Sequence, residues 1–126
     1  MYNLRYNSFN AEWEFNLNDD IKTIENLKSK IPQPYYRPNQ EITFTEFYSN
    51  KKETCKIQRI ACNLGKNSDK YYYHIYYIVN VHHGHSQYVS ETDLLKYLNK
   101  EIGVLPVGNF SKAQENENKK ILEIGD

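Results

Sequence analysis

Long apolar runs and net charge are what this chain of 126 residues lacks most clearly. Its longest apolar run, residues 75–79, is far too short to span a bilayer, and its first residues show no apolar segment typical of a signal peptide. We therefore expect a cytoplasmic protein that does not associate with a membrane. Lys plus Arg and Asp plus Glu number 16 each. This balance argues against a protein that coats nucleic acid indiscriminately, because counterion release needs many cationic contacts.

Cysteine is also scarce, since Cys55 and Cys62 are the only two in the sequence. If one continuous strand holds both, their odd separation points them to opposite faces, and about 23 Å separates their α-carbons. That distance is far beyond the reach of a disulfide. We therefore expect two reduced thiols and a reducing compartment.

Tyrosine, by contrast, is abundant: the chain has 12, and aromatic residues make up 14% of it. A disordered chain would be poorer in aromatic residues, and this length fits one domain with a modest core. Asn, Lys and Ile are frequent as well. Because the codons for these residues are AT-rich, the composition is typical of a low-GC bacterium or one of its phages.

Two helices are predicted from capping residues and apolar spacing. Asn18 can cap a helix that reaches residue 31, where Pro32 stops it. Ser90 can begin a second, short helix that Gly103 ends.

Between these helices, β-branched and aromatic runs predict antiparallel strands. The strands are expected at residues 41–47, 54–60, 71–81 and 86–89, with one of the turns at 65–69. The alternation of the second of these strands slips between Ile57 and Ile60, which indicates a β-bulge. Earlier in the chain, residues 2–15 predict an extended or edge segment in which Trp13 is a core or seam residue.

The strand over residues 71–81 has two distinct faces. Its odd-numbered residues are the more apolar and should face the core, whereas Tyr72, His74 and Tyr76 lie on the opposite face. If the preceding strand pairs beside it, Lys56 and Arg59 lie near these rings.

The end of this strand region carries a family resemblance. Residues 88–94 read Tyr-Val-Ser-Glu-Thr-Asp-Leu, after a charged turn, a basic strand, a long aromatic strand and a tight turn. In this order of features the stretch from residue 36 to 95, about half of the chain, resembles small SH3-like barrels of the Tudor and KOW kind. The resemblance implies a small β-barrel.

Together these elements predict an α+β fold. It consists of a curved antiparallel sheet or SH3-like barrel of five strands or fewer, with an N-terminal helix and a short helix after the last strand. Residues 1–110 form a single domain, and residues 111–126 form a polar tail that is frayed or disordered. Within the tail, Ile121, Leu122 and Ile124 could dock on the domain or on a partner.

Two patterns could carry catalysis, but neither has a matching local signature. His82, His83 and His85 could ligate a divalent metal, yet an exposed polar turn explains them as well. Cys55 or Cys62 beside a histidine could act as a thiol nucleophile, yet most free cysteines behave as small buried hydrophobes. We therefore predict no enzymatic activity, no cofactor and no metal site.

The less apolar face of the long strand is the candidate binding site. Aromatic rings flanked by cations can stack bases and hold phosphates, and Tyr and Arg are equally favoured at protein interfaces. Cross-strand aromatic pairing that only stabilises the sheet is the third interpretation. The predicted binding residues are Lys52, Lys56, Arg59, Tyr72, His74 and Tyr76.

The leading hypothesis from the sequence is a non-enzymatic module that binds a protein partner. Combined with the composition, it becomes a phage or mobile-element accessory protein that inhibits a host defence protein by binding it. The alternative is an SH3-like module that binds nucleic acid through its basic, tyrosine-rich face. The oligomeric state is left open.

Overall fold

The structure, a computed structural model, describes residues 2–15, 21–45, 50–81, 85–107 and 120–122. Within these residues the chain forms seven strands and two helices. Their order is β1 (Tyr2–Asn7), β2 (Glu12–Phe15), α1 (Ile21–Lys28), β3 (Glu41–Thr45), β4 (Lys52–Asn67), β5 (Lys70–Val81), β6 (His85–Ser90), α2 (Glu91–Leu98) and β7 (Lys120–Leu122). The strands pair antiparallel, which confirms the predicted antiparallel sheet with few helices.

The long strands β4 and β5 form the central hairpin of the sheet, and each carries two short strands on its other edge. β1 and β3 pair along β4, while β6 and β7 pair along β5. β2 extends the sheet beyond β1. Seven strands in the described residues exceed the predicted five, because β4 and β5 are long enough for each to pair with three strands.

The end of the chain contributes a strand to the sheet. β7 pairs with the start of β5, where Leu122 lies opposite Tyr71 and is 5% exposed. The docking of Leu122 is thus confirmed, whereas Ile121 is largely exposed and Ile124 lies outside the described residues. A short helix follows the strand expected at residues 86–89, as predicted, but that strand is not the last one, because β7 comes after α2.

A β-bulge interrupts β4 where the slip in its alternation predicts one. Ile57 lies opposite Val79 and Arg59 lies opposite Ile78, which makes Gln58 the extra residue. On the N-terminal side of the bulge, β4 pairs with β3. A bulge bends its strand, so this one redirects β4 between its two partner strands.

The bulge also determines where the two cysteines lie. Cys55 and Cys62 are both buried in the same core, as free thiols. The expectation that their odd separation puts them on opposite faces is wrong, because Gln58 shifts the alternation of β4 by one residue.

One face of the sheet carries the main core. As predicted, Trp13 is buried, and so are the odd-numbered residues Ile75, Tyr77 and Val79 of β5. The largest side chains with no exposed surface are Tyr77, Phe44, Ile57, Ile60, Leu64 and Leu105.

The helices differ from prediction at their ends. α1 follows the extended residues 2–15, as expected, but it ends at Lys28 instead of residue 31, and the proposed cap Asn18 lies outside the described residues. Ser90 caps α2 as predicted, because its hydroxyl accepts a hydrogen bond of 3.2 Å from the Thr92 amide. α2 nevertheless stops at Leu98 instead of Gly103, since Lys100 turns the chain with a φ of 63°.

The turn predicted at residues 65–69 is shorter in the structure. β4 runs through Gly65 to Asn67, so the turn itself is confined to Ser68 and Asp69. Gly65 pairs with Tyr72 in the ladder and so belongs to the strand. The tight turn expected between the strands at residues 71–81 and 86–89 falls mostly on residues 82–84, which lie outside the described residues.

A partly buried hydrogen-bond network fixes residues 35–36 against the start of α2. The Tyr77 hydroxyl donates to Glu91 Oε2 at 2.6 Å and accepts from the Tyr36 amide at 3.1 Å. The Tyr35 amide donates to the same Glu91 oxygen at 3.1 Å. One tyrosine hydroxyl and one carboxylate thus satisfy two backbone amides of a segment far away in sequence.

We expect Tyr77→Phe to lower the free energy of unfolding by about 1–3 kcal/mol, because it leaves the Tyr36 amide without its acceptor. Urea denaturation measures the change. Tyr35→Phe is the matched control, since its side chain is largely exposed, and it should cost less than about 0.5 kcal/mol. Equal costs for the two variants would contradict a structural role for the Tyr77 hydroxyl.

Candidate interaction face

Side chains of β4, β5 and β6 that point away from the main core form a second, aromatic surface. On β5 these are the even-numbered residues, and pairing adds the residues opposite them on the neighbouring strands. We call this surface the outer face. Its members include Arg59, Ala61, Asn63, Tyr72, His74, Tyr76, Ile78 and Tyr88.

Aromatic rings follow one another across the outer face. The ring centroids of His74 and Tyr76 are 5.7 Å apart, and those of Tyr76 and Tyr88 are also 5.7 Å apart, edge to face. Tyr72, Tyr76 and Tyr88 are half-buried. Neighbouring rings hold Tyr76 from both sides, so its orientation is fixed before any partner arrives.

Two residues of the outer face are buried although they point away from the main core. Ile78 is 2% exposed and His74 is 4% exposed, and the main core cluster contains neither of them. Ile78 lies opposite both Arg59 and Tyr88. Ile78 and His74 thus support the surrounding side chains, and His74 presents little surface of its own.

The bulge brings the basic residues to this side of the sheet. Lys56 and Arg59 are both exposed while Ile57 and Ile60 are buried, which requires the extra residue between them. Ala61 lies opposite Tyr76, and Arg59 is two positions before Ala61 on the same strand. Arg59 is therefore a diagonal neighbour of the Tyr76 ring.

The six predicted binding residues do not all converge. Arg59, His74 and Tyr76 lie together, whereas Tyr72 is four positions from Tyr76, roughly 13 Å along the strand. Lys52 pairs with β3 at the opposite end of β4 from the partner of Tyr72. The structure therefore places Lys52 outside the aromatic surface.

Charges around the outer face alternate in sign. Lys56 lies directly opposite Glu41 on β3. Arg5, which is opposite Ala61, forms an ion pair of 3.7 Å with Glu14. A strip of cations that could follow a phosphate backbone is not present among these described pairs.

Tyr88 is the member of the surface that the sequence interpretation missed. The signal was available, since Val89 is a core residue and its neighbour in a strand must point to the other face. Only the pairing of β6 with β5 shows that this other face is the one with Tyr76.

The thiols lie in an environment that suppresses their reactivity. Burial raises the pKa of Cys62 to about 12 and that of Cys55 to about 11, in the second case with a contribution from Glu53. Both thiols are therefore protonated at neutral pH, whereas the reactive form of cysteine is the thiolate. No group of three or more His, Cys, Asp or Glu side chains fit to hold a metal occurs in the described residues, which do not include His82 and His83.

Comparison with known proteins found no matching family model, no matching curated protein and no matching solved structure. No helix in the described segments is both long enough and apolar enough to cross a membrane. The functional argument therefore starts from the outer face itself.

Proposed function

We propose that the protein is a non-enzymatic binding module that meets a protein partner through its outer face. The observation that supports this most is the position of exposed Arg59, which strand register places diagonally from Tyr76, beside the edge-to-face pair of Tyr76 and Tyr88. Arg and Tyr are enriched among the residues that dominate protein interfaces. Rings held in place before binding lose little conformational entropy when a partner arrives.

The alternating charges favour a protein over a nucleic acid as this partner. Lys56 faces Glu41 across the strand pair, and Arg5 is paired with Glu14. Neither cation is well placed to release counterions from a phosphate backbone. Arg59 instead lies opposite Ile78, in a mixed aromatic and polar setting typical of protein interfaces.

A finer form of the proposal names the role of this contact. The module inhibits a host defence protein, on behalf of a phage or mobile element, by covering a surface that the host protein needs. The abundance of residues with AT-rich codons, typical of a low-GC bacterium or its phages, supports this form. Restored defence activity in cells that express an outer-face variant would support it, and unchanged inhibition would contradict it.

We expect Arg59→Glu and Tyr76→Ala each to weaken binding of the partner by at least about 2 kcal/mol, roughly thirtyfold in Kd. A photo-crosslinker at position 88 can capture the partner, and calorimetry with the purified partner then measures the Kd values. Lys30→Glu is the matched charge reversal, since Lys30 is exposed beyond the end of α1, and it should bind like the wild type. A partner that tolerates both outer-face variants would contradict the proposal.

Nucleic-acid binding is the second candidate, because the bulge places Lys56 and Arg59 on the side of the tyrosines. It predicts binding to labelled DNA or RNA that weakens linearly with the logarithm of salt concentration. Under the proposal above, we expect no such binding at low salt. Salt-dependent binding that Arg59→Glu abolishes would show that the outer face binds nucleic acid, as the second candidate requires.

A further inference from the structure

The hairpin formed by β1 and β2 presents one bare aromatic side chain at its tip. Phe9 is 101% exposed, the highest value among the large apolar residues of the described chain. Its backbone is held, because the Phe9 amide donates to Asn7 Oδ1 at 3.0 Å. Asn7 Nδ2 in turn donates to Glu14 Oε1 at 2.6 Å. The phenyl ring is therefore carried on an ordered turn, which lowers the entropic cost of inserting it elsewhere.

A groove of about 220 Å³ opens beside the same hairpin. Its walls are the second strand of the hairpin and the segment that follows α1. The lining residues are Ala11, Glu12, Trp13, Lys28, Ser29, Ile31 and Gln33.

Hydrogen bonds join the two sides of the groove to each other. Gln33 Nε2 donates to the Ala11 carbonyl at 3.2 Å, and Trp13 Nε1 donates to the Pro32 carbonyl at 3.2 Å. The Tyr6 hydroxyl donates to Gln33 Oε1 at 2.7 Å and so fixes the amide. These bonds make the groove a feature of the folded hairpin.

The groove is large enough for a phenyl ring. An apolar cavity of about 150 Å³ holds benzene, and this groove exceeds that volume. Trp13 and Ile31 contribute apolar side chains to its lining, although each is nearly buried.

We propose that Phe9 of one copy of this chain inserts into this groove of a second copy, and the reverse, in a twofold-symmetric dimer. Phe9 and the groove residues Ala11 and Trp13 belong to one hairpin. If the ring of one copy lies in the groove of the other, a twofold axis places the second ring in the first groove at the same time. In such an isologous contact, each ring-in-groove interaction occurs twice.

The groove carries side chains of both charge signs, which suits a contact between two copies of the same surface. Glu12 and Lys28 line the same groove with opposite sign. In the dimer, Glu12 of one copy faces Lys28 of the other. The contact involves the hairpin and the end of α1, so it is separate from the outer face and stands or falls without the proposed function.

Sedimentation velocity of the whole chain over a concentration series from low micromolar to near millimolar tests the dimer. The average mass of the wild type should rise from the monomer toward the dimer. Phe9→Ser should weaken self-association by roughly tenfold to a hundredfold, since one apolar ring loses its burial. Leu98→Ser is the matched control, because Leu98 is an exposed apolar residue of α2, and it should associate like the wild type.

A charge exchange separates contacts between copies from contacts within one copy. Glu12→Lys and Lys28→Glu should each weaken self-association, while an equimolar mixture of these two variants should form the mixed dimer. The proposal is overturned if the wild type stays monomeric throughout, if Phe9→Ser associates like the wild type, or if the mixture associates no better than either variant alone. Self-association that persists in Arg59→Glu would show that this contact is independent of the outer face.

Discussion

Deletion of Gln58 is expected to be the most disruptive single change in this chain. Without the extra residue, the alternation of β4 is continuous, and its two halves can no longer both face the core. If Ile60 stays buried, Ile57 turns outward, and so does the first half of β4, which pairs with β3. The side chains of Ile57 and Phe44 would then lose their burial, at about 1.5–3 kcal/mol each.

Their combined loss of about 3–6 kcal/mol is comparable to the whole stability of a small domain. Urea denaturation followed by circular dichroism should therefore show a chain that is unfolded or barely folded. Gln58→Ala is the control, because it keeps the residue count and loses only the hydrogen bond of 3.0 Å from the Ser86 hydroxyl. It should cost less than about 1.5 kcal/mol. A deletion variant as stable as the wild type would show that the bulge can relocate along β4.

The second large effect is loss of stability at alkaline pH. Burial raises the pKa of Cys62 from 9.0 to about 12, and burial together with Glu53 raises that of Cys55 to about 11. The pKa of Tyr77 is also raised, by burial first and then by its hydrogen bond to Glu91. Above about pH 9 the unfolded chain releases these protons while the folded chain retains them, so stability is complete below that pH and falls above it.

The size of the alkaline loss follows from the pKa values. For Cys62, a rise of three pKa units corresponds to about 4 kcal/mol once the pH has passed 12. Urea midpoints of the reduced protein, measured between about pH 7 and pH 11, should therefore fall steadily from about pH 9. Cys62→Ala should be less stable at neutral pH but should show a shallower fall. An unchanged slope in this variant would contradict the role of the Cys62 thiol.

Local sequence signals predicted the parts of the fold that depend on near neighbours. The slip between Ile57 and Ile60 located the bulge, and Ser90 located the start of α2. The alternation in β5 identified its core residues. Each of these signals lies within a few residues of the feature it predicts, so no knowledge of distant contacts was needed.

The same local signals did not predict features that depend on residues distant in sequence. The cysteines were assigned to opposite faces because strand alternation was applied through a bulge that interrupts it. The number of strands was too low for two reasons. Residues 2–15 form two strands instead of one extended segment, and β7 depends on Leu122 meeting Tyr71, 51 residues earlier in the chain. Lys52 was grouped with Tyr72 because both belong to the same pair of strands, although they lie at opposite ends of it.

By itself, then, the sequence determined the sheet, its principal core face and the bulge, since patterns of two to four residues encode them. Only the tertiary structure decided which side chains share a surface. Tyr88 joins Tyr76 through strand register, and Glu91 meets the Tyr35 amide across 56 positions of sequence. Register and packing between distant segments depend on the whole core at once, so no local pattern specifies them.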